Sequence, residues 1–349
     1  MNSATQTAML QTLRVKNFSV FERTNLSFGG LNVLHGDNGA GKTHLLKLLW
    51  VTLNAASAGA EAGDEGLQRA LHDGLVGAFG PLHGDPGRVA RRQRGTALMS
   101  AQVSWRAGGA LGFTNQTGRP DGVVQVSERP TSPLHHAPPI YLPPQELLTV
   151  APVREPGLAA RLDAPTLATC RMLERPLKRG PRDPRVNALA APIEAHIGAQ
   201  VVLEDEQGFF LRAIGTARHL EVGASSAGHL KLGTLARLML THHLNPGATL
   251  LIDGADEQLN PRAMRVMSAA LARLARSGVQ VFVSAHSAFM LRALGQDAPP
   301  DARFFGLSLD ERGESHARQG DTLAASGESL AQQEEDAQIE ALLAAHLSA

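Results

Sequence analysis

The chain has 349 residues, 43% of them hydrophobic, and its 33 basic and 33 acidic residues give a formal net charge of +0. This length allows a large core, and this balance excludes a general attraction to nucleic acids or membranes, leaving only local charged surfaces. Cys170 is the one cysteine, so no intramolecular disulfide can form and a reducing compartment fits. With no signal-peptide pattern and no apolar run near the roughly 20 residues that span a bilayer, we expect a cytoplasmic protein without a membrane partner.

The first half of the chain predicts mainly strands. Alternating apolar and polar residues predict strands at 13–21 and 24–36, and a helix follows over 43–57, where the apolar spacing becomes helical. Residues 58–95 are rich in glycine, proline and charge, which predicts loops with one short helix near 67–75. Further strands are predicted at 97–105, 110–116, 122–128 and 140–144.

The second half of the chain alternates helices and strands. Residues 158–198 are predicted to be mostly helical and residues 200–214 to form a hairpin. The pattern then predicts, in order, a helix over 225–244, a strand at 249–253, a helix over 261–277, a strand at 279–285, a helix over 286–294, a hairpin over 303–319 and an acidic C-terminal helix. Strand–helix alternation of this kind predicts an α/β fold around a mostly parallel sheet.

The segment GDNGAGKT matches the phosphate-loop pattern, and it lies between an apolar strand and an apolar helix as that pattern requires. Glycines let the chain wrap a phosphate closely, so that backbone N–H groups and the positive end of the helix face it. Lys42 is expected to reach the β- and γ-phosphates, and the Thr43 hydroxyl is expected to bind Mg²⁺. The predicted phosphate-binding residues are Gly36, Asp37, Asn38, Gly39, Ala40, Gly41, Lys42 and Thr43.

A second group of residues distinguishes an ATPase-like site from other phosphate-loop proteins. Asp253 ends an apolar strand, where an acid would hold Mg²⁺ from the side opposite the phosphate loop. His286 follows the next strand, in VSAHS. Because ligands bind at the carboxyl ends of parallel strands, we expect Lys42, Asp253 and His286 to converge at one edge of the sheet, with His286 at the γ-phosphate.

Four segments together resemble ABC-type ATPases of the RecF, structural-maintenance-of-chromosomes (SMC) and overcoming-lysogenization-defect kind. The N-terminal strands with LNVLHGDNGAGKTHLLKLL, the acid strand LIDGADEQLNP and the histidine segment VSAHSAFMLRAL are similar to theirs. SSAGHLKLGTLARLM resembles their signature loop and helix. The whole chain, including IYLPPQELL, resembles short stand-alone bacterial ATP-binding proteins of the AAA family.

This resemblance implies a P-loop NTPase fold, an ABC-type nucleotide-binding domain with an antiparallel β portion and a helical lobe. Residues 1–145 and 245–349 would form the ATP-binding lobe, with a loop-rich insertion at about 58–95. Residues 146–244 would form the helical lobe, which ends in the signature helix. ATP and Mg²⁺ are the implied cofactors, and the implied metal ligands are Thr43 and Asp253.

The resemblance also implies roles for residues outside the phosphate loop. Ser226, Gly228 and Lys231 correspond to the signature elements that face the nucleotide of a partner subunit. Gln145, after the strand IYLPP, corresponds to the glutamine that senses Mg²⁺ and links the two lobes. A solvated loop residue is the alternative interpretation of Gln145.

The acid strand departs from the resembled pattern at the position after Asp253. There a glutamate would orient and deprotonate the attacking water, and Gly254 has no side chain that could do either. Ala255 replaces the usual proline. Asp256 or Glu257 could supply the base instead, although an acid three residues further along does not match the missing position. Loss of such a base slows turnover by roughly 10²–10⁴-fold, so we expect weak hydrolysis. The candidate catalytic residues are Asp253, His286 and Asp256.

Two functions from different classes follow from these observations. The first is an ATP-gated dimeric switch that hydrolyses slowly and acts on DNA or a partner effector protein, in DNA maintenance or anti-phage defence. The second is a non-hydrolysing ATP-binding subunit that regulates a larger complex. An ATP-dependent homodimer is expected, with pairing to a different subunit left open. The basic segment GRVARRQRG fits either a DNA-backbone contact or a solvated turn through Arg88, Arg91, Arg92 and Arg94.

Overall fold

The computed structural model describes residues 9–59, 63–91, 95–117, 124–130, 137–178, 180–204, 207–216, 218–328 and 330–347. The strands are β1 (Leu10–Phe18), β2 (Phe21–Ser27), β3 (Leu31–Gly36), β4 (Leu98–Trp105), β5 (Ala110–Gln116), β6 (Gln125–Glu128), β7 (Ile140–Leu142), β8 (Ala199–Glu204), β9 (Gly208–Ala213), β10 (His219–Glu221), β11 (Thr249–Ile252), β12 (Gln280–Ser284), β13 (Arg303–Leu309) and β14 (Ser315–Gly320). The helices are α1 (Lys42–Gly59), α2 (Gly63–Phe79), α3 (Pro156–Ala159), α4 (Ala164–Leu173), α5 (Pro184–Ile197), α6 (Ala227–Leu240), α7 (Pro261–Arg276), α8 (Ala288–Asp297) and α9 (Leu330–Leu347). As far as the described residues extend, none of these helices is both long and apolar enough to cross a membrane.

A six-stranded sheet forms the centre of the fold, in the order β14-β13-β3-β12-β11-β7. The pairs from β13 through β7 are parallel, and β14 runs antiparallel beside β13 at one edge. Strands β3, β11 and β12 are buried along their whole length, as expected for parallel strands covered on both faces. The predicted α/β class and mostly parallel core sheet are confirmed.

Two hydrophobic cores cover opposite faces of this sheet. Successive residues of a strand point to opposite faces, so in β11 Leu250 and Ile252 belong to one core and Leu251 to the other. The first core also contains residues of α5, α6 and α7, and the second contains residues of α1 and α2. Because the first core joins both predicted lobes, the segment 146–244 packs directly on the part that carries the acid strand.

An antiparallel five-stranded sheet, β2-β1-β4-β5-β6, packs on the second core, and its inward residues Leu13 and Val15 belong to that core. The buried side chain of Gln280 ties this sheet to the central one. Its amide accepts from the N–H of Leu10 and donates to the carbonyl oxygens of Leu10 (2.8 Å) and Gly29 (3.0 Å). A smaller antiparallel sheet, β10-β9-β8, lies within the segment 146–244. The predicted hairpins are confirmed in the pairs β4–β5, β8–β9 and β13–β14.

The segment 58–95 differs from the sequence prediction. Instead of loops with one short helix, α2 extends over Gly63–Phe79, and its buried residues repeat at helical spacing: Leu67, Leu71, Gly74, Leu75 and Ala78. Two glycines that favoured loops in the sequence are contact points between helices. A Cβ at Gly74 would lie 3.0 Å from Val51 of α1, and a Cβ at Gly77 would lie 2.7 Å from Ala164 of α4. Glycine therefore permits close packing here; the helix predicted near 67–75 is confirmed, but it is longer than predicted.

Candidate nucleotide-binding site

The phosphate loop, residues 36–43, connects the end of β3 to the start of α1. Gly36, Gly39 and Gly41 have φ angles of 125°, 81° and 94°, a region that side chains disfavour. Space is short as well, since a Cβ at Gly36 would lie 1.9 Å from the carbonyl oxygen of Leu307, and one at Gly41 would lie 2.5 Å from the Phe21 ring. Glycine is therefore required at these two positions by backbone conformation and by packing.

Lys42, the first residue of α1, points back into the phosphate loop. Its side chain is buried, and its Nζ donates to the carbonyl oxygens of Gly36 and Asp37, each at 2.8 Å. Burial lowers the pKa of Lys42 to about 8, against the carboxylates of Asp253, Asp37 and Asp256, which raise it. An anionic phosphate in the loop would stabilise the charged ammonium, as a phosphate-binding lysine requires.

Asp253 follows β11, and its buried carboxylate is held by side chains from the two flanking strands. The Ser284 hydroxyl, at the end of β12, donates to Oδ1 at 2.7 Å, and the Tyr141 hydroxyl, in β7, donates to Oδ2 at 3.1 Å. Burial and the Asp253 carboxylate raise the pKa of Tyr141, so its hydroxyl stays protonated and able to donate. Sequence reasoning missed Tyr141 and Ser284. Their signal is the position of each on a strand that neighbours β11.

The surroundings of Asp253 fit a hard divalent cation. Its carboxylate is buried, yet among the described residues both oxygens accept from neutral hydroxyls and not from a lysine or arginine. A buried charge of this kind requires a compensating partner. Mg²⁺ prefers oxygen ligands, and the Thr43 hydroxyl is exposed in the first turn of α1. Thr43 and Asp253 would hold the ion, which when bound would neutralise charge on the β- and γ-phosphates.

Asp256 connects the acid strand to the residues after β12. Its Oδ2 accepts from the backbone N–H groups of His286 (3.0 Å) and Ser287 (2.6 Å), whereas Oδ1 is buried and has no hydrogen-bond partner among the described residues. Burial and the Lys42 charge lower the pKa of the half-buried His286, while the nearby carboxylates raise it. Lys42, Asp253 and His286 therefore interact electrostatically at one edge of the central sheet.

The residues after β11 form the acid turn, residues 253–258, and a buried lysine of α6 holds it. Lys231 is 3% exposed, and its Nζ donates to the carbonyl oxygens of Gly254 (2.5 Å), Pro144 (3.0 Å) and Glu257 (3.2 Å). Burial lowers the pKa of Lys231 to about 8, against nearby carboxylates that raise it. From the sequence we expected Lys231 to face the nucleotide of a partner subunit. In the structure its ammonium group instead donates to carbonyl oxygens of its own chain.

The other signature residues lie at the start of α6. Ser226 caps this helix by accepting from the N–H of His229 at 3.3 Å, and it is exposed. Gly228 lies against the acid turn, because a Cβ there would be 2.6 Å from the carbonyl oxygen of Gln258. Gln145 is exposed shortly after β7. Ser226 and Gln145 are thus accessible to a ligand or partner, and their roles stay predictions.

A cavity of about 550 Å³ lies beside the first turn of α1. Ser19 and Val20, from the turn between β1 and β2, line it together with His44 of α1 and Phe79 of α2. His44 follows Thr43 directly, so one wall of the cavity comes from the residue after the phosphate loop. Its volume is within the range of small-molecule sites, and its walls combine aromatic and polar groups.

Comparison with known proteins agrees with this architecture. Residues 12–96 match a family model described as an AAA domain. An Smc head bound to the C-terminal winged-helix domain of ScpA has a TM-score of 0.56 and 13% identity, covering 90% of this chain and 98% of that chain. An Smc head with an extended coiled coil, bound to a ScpA domain derived from Pyrococcus furiosus, has a TM-score of 0.50 and 13% identity, covering 96% and 99%. No curated protein sequence matches this chain significantly.

The comparisons establish the fold of this chain. At this low identity the structural likeness shows the fold, which is the α/β P-loop NTPase fold of SMC heads. The AAA-domain match begins within β1 and extends through β3, the phosphate loop, α1 and α2. The fold is therefore shown for most of the chain, whereas the AAA-domain match is limited to residues 12–96.

Proposed function

We propose that this chain is an ATP-binding ATPase, similar to SMC and RecF proteins, that acts as a nucleotide-gated dimeric switch with slow hydrolysis. The observation that carries the proposal is the electrostatic cluster of Lys42, Asp253 and His286 beside a loop that requires glycine. Such a cluster can bind a terminal phosphate and stabilise the charge that develops on it. The AAA-domain match and the SMC-head fold support the same activity.

The nucleotide would lie along the phosphate loop, with its base and ribose in the cavity beside α1. Backbone N–H groups of residues 36–43 would surround the phosphates, and Lys42 would exchange its two carbonyl contacts for phosphate oxygens. His286 would lie near the γ-phosphate, and Gln145 would sense Mg²⁺. Each of these roles uses a group that the structure leaves accessible or holds by contacts that a phosphate can replace.

The dimer is supported by the position of the signature segment. Ser226 lies at the exposed N-terminus of α6, where backbone N–H groups and the helix dipole favour an anion. In the resembled ATPases this segment completes the nucleotide site of a second subunit. One phosphate loop and one signature segment in each chain would give a homodimer with two shared sites. ATP would then favour the dimer, because it binds that state more tightly.

The outer face of the antiparallel sheet supports DNA as a partner. Arg14 and Lys16 of β1 and Arg23 of β2 are exposed on this face, and within the described part of the chain none of them forms a salt bridge. Lys16 and Arg23 stand directly opposite each other, and like charges in such a pair repel. Polar side chains surround them, including Asn25 and Gln102. A phosphate backbone binds side chains of these types and would relieve the repulsion.

The basic segment 87–95 is a weaker candidate for the same partner. Arg91 already contacts Glu22 (3.3 Å) and Glu314 (3.2 Å), so its charge is neutralised within the chain. Arg92 and Arg94 lie outside the described residues. A partner effector protein is the alternative to DNA, since the similar Smc heads were crystallised with ScpA domains.

Light scattering with and without ATP and Mg²⁺ tests the switch. We expect the wild type to become dimeric with ATP, and Ser226→Glu to stay monomeric while calorimetry still shows ATP binding, because the new carboxylate repels the partner's phosphates. Glu340→Gln, exposed on α9, is the matched surface control. Labelled double-stranded DNA, added to the same samples at increasing salt, tests the partner.

A wild-type monomer that has bound ATP would contradict the homodimer and favour pairing with a different subunit. Single-turnover hydrolysis separates the two functional classes. A slow but measurable rate supports the ATPase, and ATP binding without any hydrolysis supports the regulatory subunit.

A further inference from the structure

The side chain of Glu257 lies over Gly254, the position at which the site lacks a carboxylate. A Cβ built on Gly254 would be 2.6 Å from Oε1 of Glu257, 2.9 Å from its Cδ and 3.2 Å from its Cγ. The carboxylate of Glu257 therefore occupies the space into which a side chain at residue 254 would extend. Because Gly254 has no side chain, Glu257 can fill that space.

The acid turn explains how a residue three positions further along reaches this space. Gly254 has a φ angle of 57°, and its carbonyl oxygen accepts from the N–H of Glu257 at 3.1 Å, which folds the chain back on itself. Lys231 donates to the carbonyl oxygens of both residues, at 2.5 Å and 3.2 Å. The buried ammonium group of Lys231 therefore holds Gly254 and Glu257 close together, although they are three residues apart in the sequence.

Glu257 and Asp256 differ in their access to water. Asp256 is 8% exposed, one of its oxygens is bound to backbone N–H groups, and the other is buried. Glu257 is exposed, and no hydrogen bond or salt bridge of its side chain is found within the described residues. It is also close enough to His286 and Lys231 to affect the pKa of each. Asp256 therefore positions the segment at His286, whereas Glu257 can reach a water molecule.

We propose that Glu257 is the catalytic base that replaces the missing carboxylate at position 254, an inference that rests on the proposed ATPase function. The water oxygen forms a bond to the γ-phosphorus while the bond from that phosphorus to the β,γ-bridging oxygen breaks. The carboxylate of Glu257 takes the water proton, and ADP leaves with the bonding electron pair. Glu257 then returns the proton to solvent.

Single-turnover hydrolysis and ATP affinity, measured together on the full chain, test this assignment. We expect Glu257→Gln to lower the hydrolysis rate by about 100-fold or more, because the amide keeps the shape but cannot take a proton. Its ATP affinity should stay within about threefold of wild type, since the base acts only in the transition state. Glu340→Gln, the exposed control on α9, should keep both values. Thermal melting confirms that each variant is folded.

The outcomes separate this inference from the proposed function. If the wild type binds ATP and Glu257→Gln hydrolyses at the wild-type rate, Glu257 is not the base, while ATP binding stands. Binding without any wild-type hydrolysis has the same consequence. A folded Glu257→Gln that loses ATP affinity as well would show a role in binding and overturn the assignment. Failure of the wild type to bind ATP would overturn the proposed function itself.

Discussion

The phosphate loop and the acid turn would serve the same nucleotide, yet the chain builds them in different ways. The phosphate loop takes its binding groups from consecutive residues and its conformation from its own glycines. The acid turn depends on residues far along the chain. Tyr141 and Ser284 fix Asp253 from 112 and 31 positions away, and Lys231 fixes Gly254 from 23 positions away. The conformation of the proposed phosphate-binding loop is therefore encoded locally, whereas that of the acid turn depends on packing between elements.

The same difference explains why the two regions depart unequally from the resembled pattern. In the phosphate loop the glycines are fixed by conformation and close contacts, so the motif is intact. In the acid turn the φ angle of 57° at Gly254 and the overlying Glu257 leave no space for a side chain at position 254. The glycine belongs to a different turn geometry. A glutamate inserted there would strain the backbone and displace Glu257.

Removing the phosphate-loop lysine should have the largest effect, and it should already appear in nucleotide binding. We expect Lys42→Ala to reduce ATP affinity by at least about 1,000-fold, about 4 kcal/mol, because the loop loses its main charge contact with the β- and γ-phosphates. Calorimetry measures the affinity. Lys47→Ala, in the same helix but bound to Asp163, is the control and should bind ATP normally. Equal ATP affinities for wild type and Lys42→Ala would contradict the interpretation of residues 36–43 as a phosphate loop.

Sequence reasoning predicted the central α/β fold, the hairpins and the residues of the two motifs, because each depends on local patterns. It predicted only the middle of α2, because glycines at helix contacts resemble glycines in loops. Nor did it predict Tyr141 and Ser284 as partners of Asp253, because a hydroxyl in a strand carries no signal until the strand order is known. Lys231 was expected to face the nucleotide of a partner subunit, since the sequence does not show which helix face is buried.

Breaking the acid turn should leave phosphate binding intact. We expect Lys231→Met to lower the free energy of unfolding by about 3 kcal/mol, because three carbonyl oxygens, one of them fully buried, lose their donor. The hydrolysis rate should fall as the turn loosens, while ATP affinity changes little. Chemical denaturation and calorimetry measure the two quantities.

The matched control for that substitution is Lys47→Met. Lys47 is partly exposed and donates to the carbonyl oxygen of Ala78 and to Asp163, so its loss should cost about 1 kcal/mol. If Lys231→Met were as stable as the wild type, or if it lost ATP binding as strongly as hydrolysis, the separation between the two regions would not hold.

The smallest expected effect tests a buried histidine that links the phosphate loop to a distant segment. His35 lies in β3 next to Gly36, is 1% exposed, and its Nε2 is 2.7 Å from the Ser326 hydroxyl. Burial, with a smaller contribution from the Lys42 charge, lowers the pKa of His35 from 6.5 to about 4. Between these values the unfolded chain binds a proton that the folded chain does not, so stability falls as the pH falls. From pH 7 to pH 5 the titration of His35 should lower the free energy of unfolding by about 2 kcal/mol.

Denaturant unfolding at both pH values should therefore show a weaker pH dependence in His35→Gln than in wild type. His346→Gln, which removes an exposed histidine of α9, should retain the wild-type dependence. An identical dependence in His35→Gln and wild type would mean that His35 is protonated in the folded protein at pH 5.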